Sequence, residues 1–83
     1  MESSTSVDPL SVARHDEQCG EYAVGRDLGV AETNFEEAIR LRKAAQGKDH
    51  PDTLRTADRA IEISMKAGDP GGADRVRALL AQP

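Results

Sequence analysis

His15 and Cys19 stand four residues apart, so on a helix they share a face within reach of one metal ion or one proton. A structural zinc takes about four ligands. Asp16 and Glu17 point away from that face, and the only other histidine is His50, so the pair falls short of a metal site. As nucleophile and base it lacks a third group to orient the imidazole and donors for an oxyanion. Cys19 reads instead as a small packing residue. Asp58 and Glu62 are also one turn apart. Duplicated across a two-fold, such carboxylates could act together at a dimer interface. No glycine pattern follows a strand to cradle phosphate, and no motif implies a cofactor.

His50 lies in "QGKDHPDTL", Gln46 to Leu54. Gly47 there reads as a helix C-terminal cap and Pro51 as a first-turn residue, with Asp52 favourable at the helix start. His50, ahead of a proline, is pushed toward an extended conformation. The stretch is expected to be a helix–helix corner that sets its neighbours antiparallel, rather than a catalytic loop.

The elements around that corner read as all-α. The 83 residues allow one small domain, with a hydrophobic fraction of 37% and only Tyr22 and Phe35 as aromatics. A core of Ala, Leu, Ile and Val suits close-packed helices, and the β-branched and aromatic clusters of strands are missing. The formal charge of −4 argues against a nucleic-acid partner, which clustered Lys and Arg would mark. No run approaches the roughly 18 apolar residues that cross a bilayer, so no membrane partner is expected. "MESSTSV" lacks the basic and apolar regions of a secretory signal. With a single Cys19, this points to a cytoplasmic setting. Residues 1–8 read as a disordered tail and 9–83 as the domain.

Asp8 and Pro9 form a helix start, N-cap then first helical position. From Leu10 to about Glu32 the pattern stays helical despite Gly20, Gly25 and Gly29. Each glycine costs about 1 kcal/mol against alanine, offset where a neighbouring helix comes close. A break near His15 would leave a short leader and a helix from about Asp16. "TNFEEAIRLRKAAQG" carries a capping-box pattern in Asn34 and Glu37, or alternatively Thr33 and Glu36, followed by a stripe of Phe35, Ala38, Ile39, Arg42 and Ala45. A third helix runs from Pro51 to about Ala67, with Leu54, Ala57, Ile61 and Met65 on one stripe. "GDPGG" stops it, and Asp69 and Pro70 open a last helix with Ala73, Val76, Leu79 and Leu80 on its apolar face. Four helices in two antiparallel hairpins are expected.

The two halves align at an offset of 35, His15 on His50 and Ala38 on Ala73, or at a rival 42, Pro9 on Pro51 and Asp27 on Asp69. The rival would move the first turn to about residue 26. The shorter offset is preferred because it leaves "TNFEEA" as a helix start. A period near 34 marks helical-hairpin solenoids.

"TNFEEAIRL" resembles the start of the second helix of a tetratricopeptide repeat, with Phe35 and Ala38 on that family's aromatic and alanine. "AGDPGGA" is similar more loosely, and "GKDHPDTL" resembles the linker of kinesin-light-chain-type repeats. The first helices depart from the pattern: Tyr22 fits an aromatic position, but Gly25, Arg26 and Gly29 stand where the rest belongs. The resemblance implies two stacked hairpins that bind a peptide or partner protein along a concave face lined by the first helices. It would place Arg55, Asp58, Glu62, Met65 and Lys66 on that face in the second copy, and Gly20, Ala23, Asp27, Val30 and Ala31 in the first. The family's basic clamp for a C-terminal carboxylate is absent. Asp27, Asp58 and Glu62 would favour a basic or mixed-charge segment, or simply solvate an exposed face.

Two hairpins leave an apolar end uncovered, since about three repeats normally stand alone. Leu79 and Leu80 would dock there onto a second copy, making a homodimer, or onto another protein. Alternatively the leader from Asp8 folds back and caps the core. The function expected is a non-catalytic interaction module or small adaptor. The other reading is an accessory or regulatory subunit with a small-molecule or enzymatic site at a dimer interface.

Overall fold

Each helix of this chain begins at a side chain that accepts from its first free backbone N–H groups. The computed structural model describes residues 8–82 and places four helices there: α1 (Pro9–Val24), α2 (Leu28–Gln46), α3 (Pro51–Lys66) and α4 (Pro70–Ala81). Asp8 accepts from Leu10 N at 3.1 Å, and Asp69 from Gly72 N at 3.1 Å. Asp27 accepts from Gly29 N at 3.0 Å and from Val30 N at 3.3 Å. At α3 the cap is a histidine: His50 Nδ1 accepts from Asp52 N at 3.0 Å. The His50 corner is therefore a helix cap. Proline opens α1, α3 and α4, where its missing N–H is no loss. Gly47 closes α2 with φ of 99°, a conformation open to glycine and strained for other residues. The expected tail falls outside the described residues except for Asp8.

The first hairpin turns earlier than its sequence suggests. The expected helix from Leu10 to about Glu32 ends at Val24, there is no break near His15, and Gly25–Asp27 makes the corner. Thr33 and Asn34 lie inside α2, where the Thr33 hydroxyl donates to Gly29 O at 3.0 Å instead of capping. Asp27 wins because starting α2 there gives it 19 residues to lay against both neighbours. Under this corner both bounds of α1 and the start of α2 recur in α3 and α4 at a shift of 42, Pro9 to Pro51, Val24 to Lys66 and Leu28 to Pro70, while α4 ends sooner than α2. The preferred shift of 35 does not describe the helices.

α1 packs on α2, α2 on α3 and α3 on α4, while α2 also reaches α4. The core gathers Ala23, Ala31, Phe35, Ile39, Ala57, Ala60, Ile63 and Val76. Two glycines let backbones come close. A Cβ on Gly20 would sit 2.6 Å from the Phe35 ring, so α1 lies directly on that ring. One on Gly72 would sit 2.3 Å from Glu32 Oε2 and 2.5 Å from Ser64 Oγ. Glu32 is buried there and accepts from Ser64 Oγ at 2.8 Å. Burial pushes its carboxyl above the ordinary value, and the neighbouring Asp69 carboxyl adds to the rise. Asp16 is the matching case between α1 and α2. Its Oδ2 is buried without a partner, and burial, then Glu37, pushes its carboxyl up.

Gly20→Ala is expected to lower stability by about 1–2 kcal/mol, since overpacking outweighs the roughly 1 kcal/mol gain in helix propensity. Gly25→Ala, with nothing within 4 Å of the added carbon, should be neutral or slightly stabilising. Paired thermal melts followed by circular dichroism check both. Glu32→Gln should be more stable than wild type at pH 7. A raised carboxyl contributes fully below its unfolded pKa and loses that contribution as pH rises through the folded value. The advantage should fade as urea melts are repeated down toward pH 4.

Candidate functional site: the groove between α1 and α3

The facing flanks of α1 and α3 carry opposite charges at helical spacing. Glu17 and Glu21 are one turn apart on α1, and they meet Thr56 and Arg59, three residues apart on α3. Arg42 rises from α2 beneath them. Its Nε donates to Glu17 Oε2 at 2.7 Å and its Nη2 to Oε1 at 2.9 Å, a bidentate pair that the Thr56 hydroxyl joins. Arg59 grips Glu21 through two bonds of 2.7 Å and reaches Glu62 at 3.3 Å. Arg55 pairs with Asp52 at 3.0 Å.

These rungs hold the walls of an open groove of about 580 Å3, floored by Phe35 and Arg42, with Arg14 and Gln18 along α1. Its charged lining counts four arginines (14, 42, 55 and 59) against Glu17, Glu21 and Asp52. The groove is thus positive by one on a chain of formal charge −4. Arg14 has no side-chain hydrogen bond or ion pair among the described residues, and Arg55 is 75% exposed. These two carry unspent donors, one on each wall.

Burial opposes ionisation of Glu17, but the bonds from Arg42 and Thr56 overcome it and hold the carboxyl below its ordinary range. Glu21 is lowered by its bonds from Arg59. Both stay ionised at neutral pH, which fixes the arginines in place before any ligand arrives.

Of the residues singled out in the sequence, the groove takes Arg55 on its wall, while Glu62 lies outside the lining and meets it only through its bond to Arg59. Asp27 is committed to capping α2 and lies off the groove. Asp58 sits exposed on the opposite flank of α3, with Met65, while Lys66 is exposed in the last turn. Gly20 and Ala31 are buried in the α1–α2 contact, and Ala23, also buried, reaches only a cavity on the flank of α1 turned away from the groove. Leu79 and Leu80 are half-buried against the core, and the Leu79 carbonyl accepts from Lys43. The leader is α1 itself, packed on α2, and does not fold over that end. Arg14, Glu17, Glu21 and Arg59 were missed, although the i, i+4 acid pair on α1 and the arginines of α3 were open to view.

No other constellation gathers chemistry. Cys19 Sγ lies 3.7 Å from His15 Nε2 and 3.8 Å from Nδ1, equidistant and so off the line of either lone pair. Among the described residues no three His, Cys, Asp or Glu side chains are placed to hold a metal ion. No described helix is long and apolar enough to cross a membrane. Compared with known proteins, the chain matches no family model, no curated protein and no solved structure.

Glu17→Gln should cost about 1–3 kcal/mol at pH 7, because Arg42, its side chain 10% exposed, loses a charged partner. A depressed carboxyl contributes stability above its unfolded pKa and loses it as pH falls through the folded value. The gap between variant and wild type in urea melts should therefore narrow as pH falls below the ordinary glutamate range of about 4.3.

Proposed function

We propose that the chain is a non-catalytic interaction module, of tetratricopeptide-repeat type, that takes a peptide segment of a partner protein in the α1–α3 groove. The observation carrying this reading is a pair of arginines with donors to spare on opposite walls of an open cleft: Arg14, without an ion pair among the described residues, and Arg55, which is 75% exposed and holds Asp52 through one nitrogen only. Ion pairs inside the walls fix the cleft beforehand, so a ligand need not order it. The partner segment is mixed in charge, with at least one carboxylate for Arg14 or Arg55. A purely basic segment is less suited, since Asp27 and Asp58 lie off the groove. A cytoplasmic setting fits a lone, half-buried Cys19.

The reading of Asp58 and Glu62 as a shared catalytic pair draws no such support, because Glu62 is bonded to Arg59.

Selection of a random peptide display library on the wild type should enrich sequences with a carboxylate. Synthetic copies should bind about tenfold or more weakly to Arg14→Glu and to Arg55→Glu, and more weakly as salt rises. Enriched peptides that bind these variants as well as the wild type, or no enrichment at all, would overturn the proposal.

A further inference from the structure

The two hairpins use only one flank of α1 and one flank of α3 on each other. The flank of α1 turned away from α3 opens on a second cavity, of about 470 Å3, lined by Cys19, Tyr22, Ala23 and Val30. Tyr22 is 67% exposed and Val30 48%, and the Arg26 guanidinium lies over the Tyr22 ring at 4.3 Å. At the other end of the molecule, the flank of α3 turned away from α1 carries Leu54, Ile61 and Met65 at helical spacing. Leu54 is 43% exposed and Met65 63%, with Ile61 half-buried beneath them. One end is thus an apolar trough with a cationic rim, and the other an apolar ridge.

The charges beside them are opposite. Asp58 lies along the ridge and has no side-chain partner among the described residues. Arg26, His15 and Asp27 line the trough, and the Asp27 carboxylate is taken up by the first N–H groups of α2, which leaves Arg26 as the charge open to a partner. Both bounds of α1 and the start of α2 also fall on those of α3 and α4 under the 42-residue shift, so a third hairpin added by the same step would set its first helix against the α3 ridge.

We propose that copies of this chain stack head to tail, the Leu54–Ile61–Met65 ridge of one seated in the Cys19–Tyr22–Val30 trough of the next, with Asp58 facing Arg26. A patch that fits a pocket elsewhere on the same molecule makes a heterologous contact, which grows into rows or closes into a ring instead of stopping at a two-fold dimer. The α1–α3 groove lies on neither end and stays open in such a row. This inference is independent of what that groove binds.

Sedimentation velocity on the full chain tests it, at concentrations rising to about 1 mM to reach a small, weak interface. The wild-type mass should climb past that of a dimer. Tyr22→Glu and Met65→Glu change exposed side chains, so each should keep its helical circular dichroism while remaining monomeric alone. Mixed in equal amounts, the two variants should form a one-to-one dimer, because each retains the end that the other has lost. Three outcomes overturn the proposal: a wild type that stays monomeric throughout, a mixture that fails to pair, or a dimer abolished by Met65→Glu and untouched by Tyr22→Glu.

Discussion

Helices made of alanine and glycine hold together only by coming close, and most of this structure follows from that. Seven of the eleven buried apolar residues are alanines, and the large ones are Phe35, Ile39, Ile63 and Val76. An alanine buries little area, so the stabilisation must come from many short contacts at native density rather than from a few large side chains. Gly20 against Phe35 and Gly72 against Glu32 are where the approach is tightest. Close approach also draws flanking polar groups inward. Arg42, Glu32, Asp16, Thr56 and Ser64 are all buried, each in a seam between helices.

Those polar seams differ in kind. Between α1 and α3 the groups are opposite in charge and bonded, so they pin the groove in one shape. Between α2 and α4, and again between α1 and α2, a buried carboxyl has a second carboxylate for a neighbour, and burial first, then that neighbour, pushes Glu32 and Asp16 above their ordinary values. The exposed rungs add little stability on their own, but the Glu17–Arg42 pair is sheltered enough that either partner alone would be left unsatisfied. Charge here selects geometry more than it adds stability.

The caps were largely legible because capping is local. Asp8 with Pro9, Gly47, Pro51, and Asp69 with Pro70 all mark helix ends where the chain places them. Asp27 was passed over because Asn34 and Glu37 make an equally good local pattern. The contact that decides between them, Phe35 on Gly20, joins residues on different helices. The repeat was obscured for a related reason. Helix starts recur at 42, but buried positions recur at 40 or 41, Gly20 with Ala60 and Phe35 with Val76. No single shift aligns both sets. The groove was legible only in part: Arg55 follows from helix spacing, whereas Glu21 with Arg59 needs the two helices side by side.

The order of packing has a consequence for how the chain reaches this state. Every helix rests on the one before it, and the added contacts, α2 with α4 and the bonded side chains of α1 and α3, each skip a single element. Among the described residues no strand waits for a distant partner and no packed pair of helices is more than two elements apart, so the entropy lost in closing loops is small at every step. Topologies this local fold in about microseconds to milliseconds. Two hairpins joined by three short corners can form separately and then dock, so the search for this structure is short from the start.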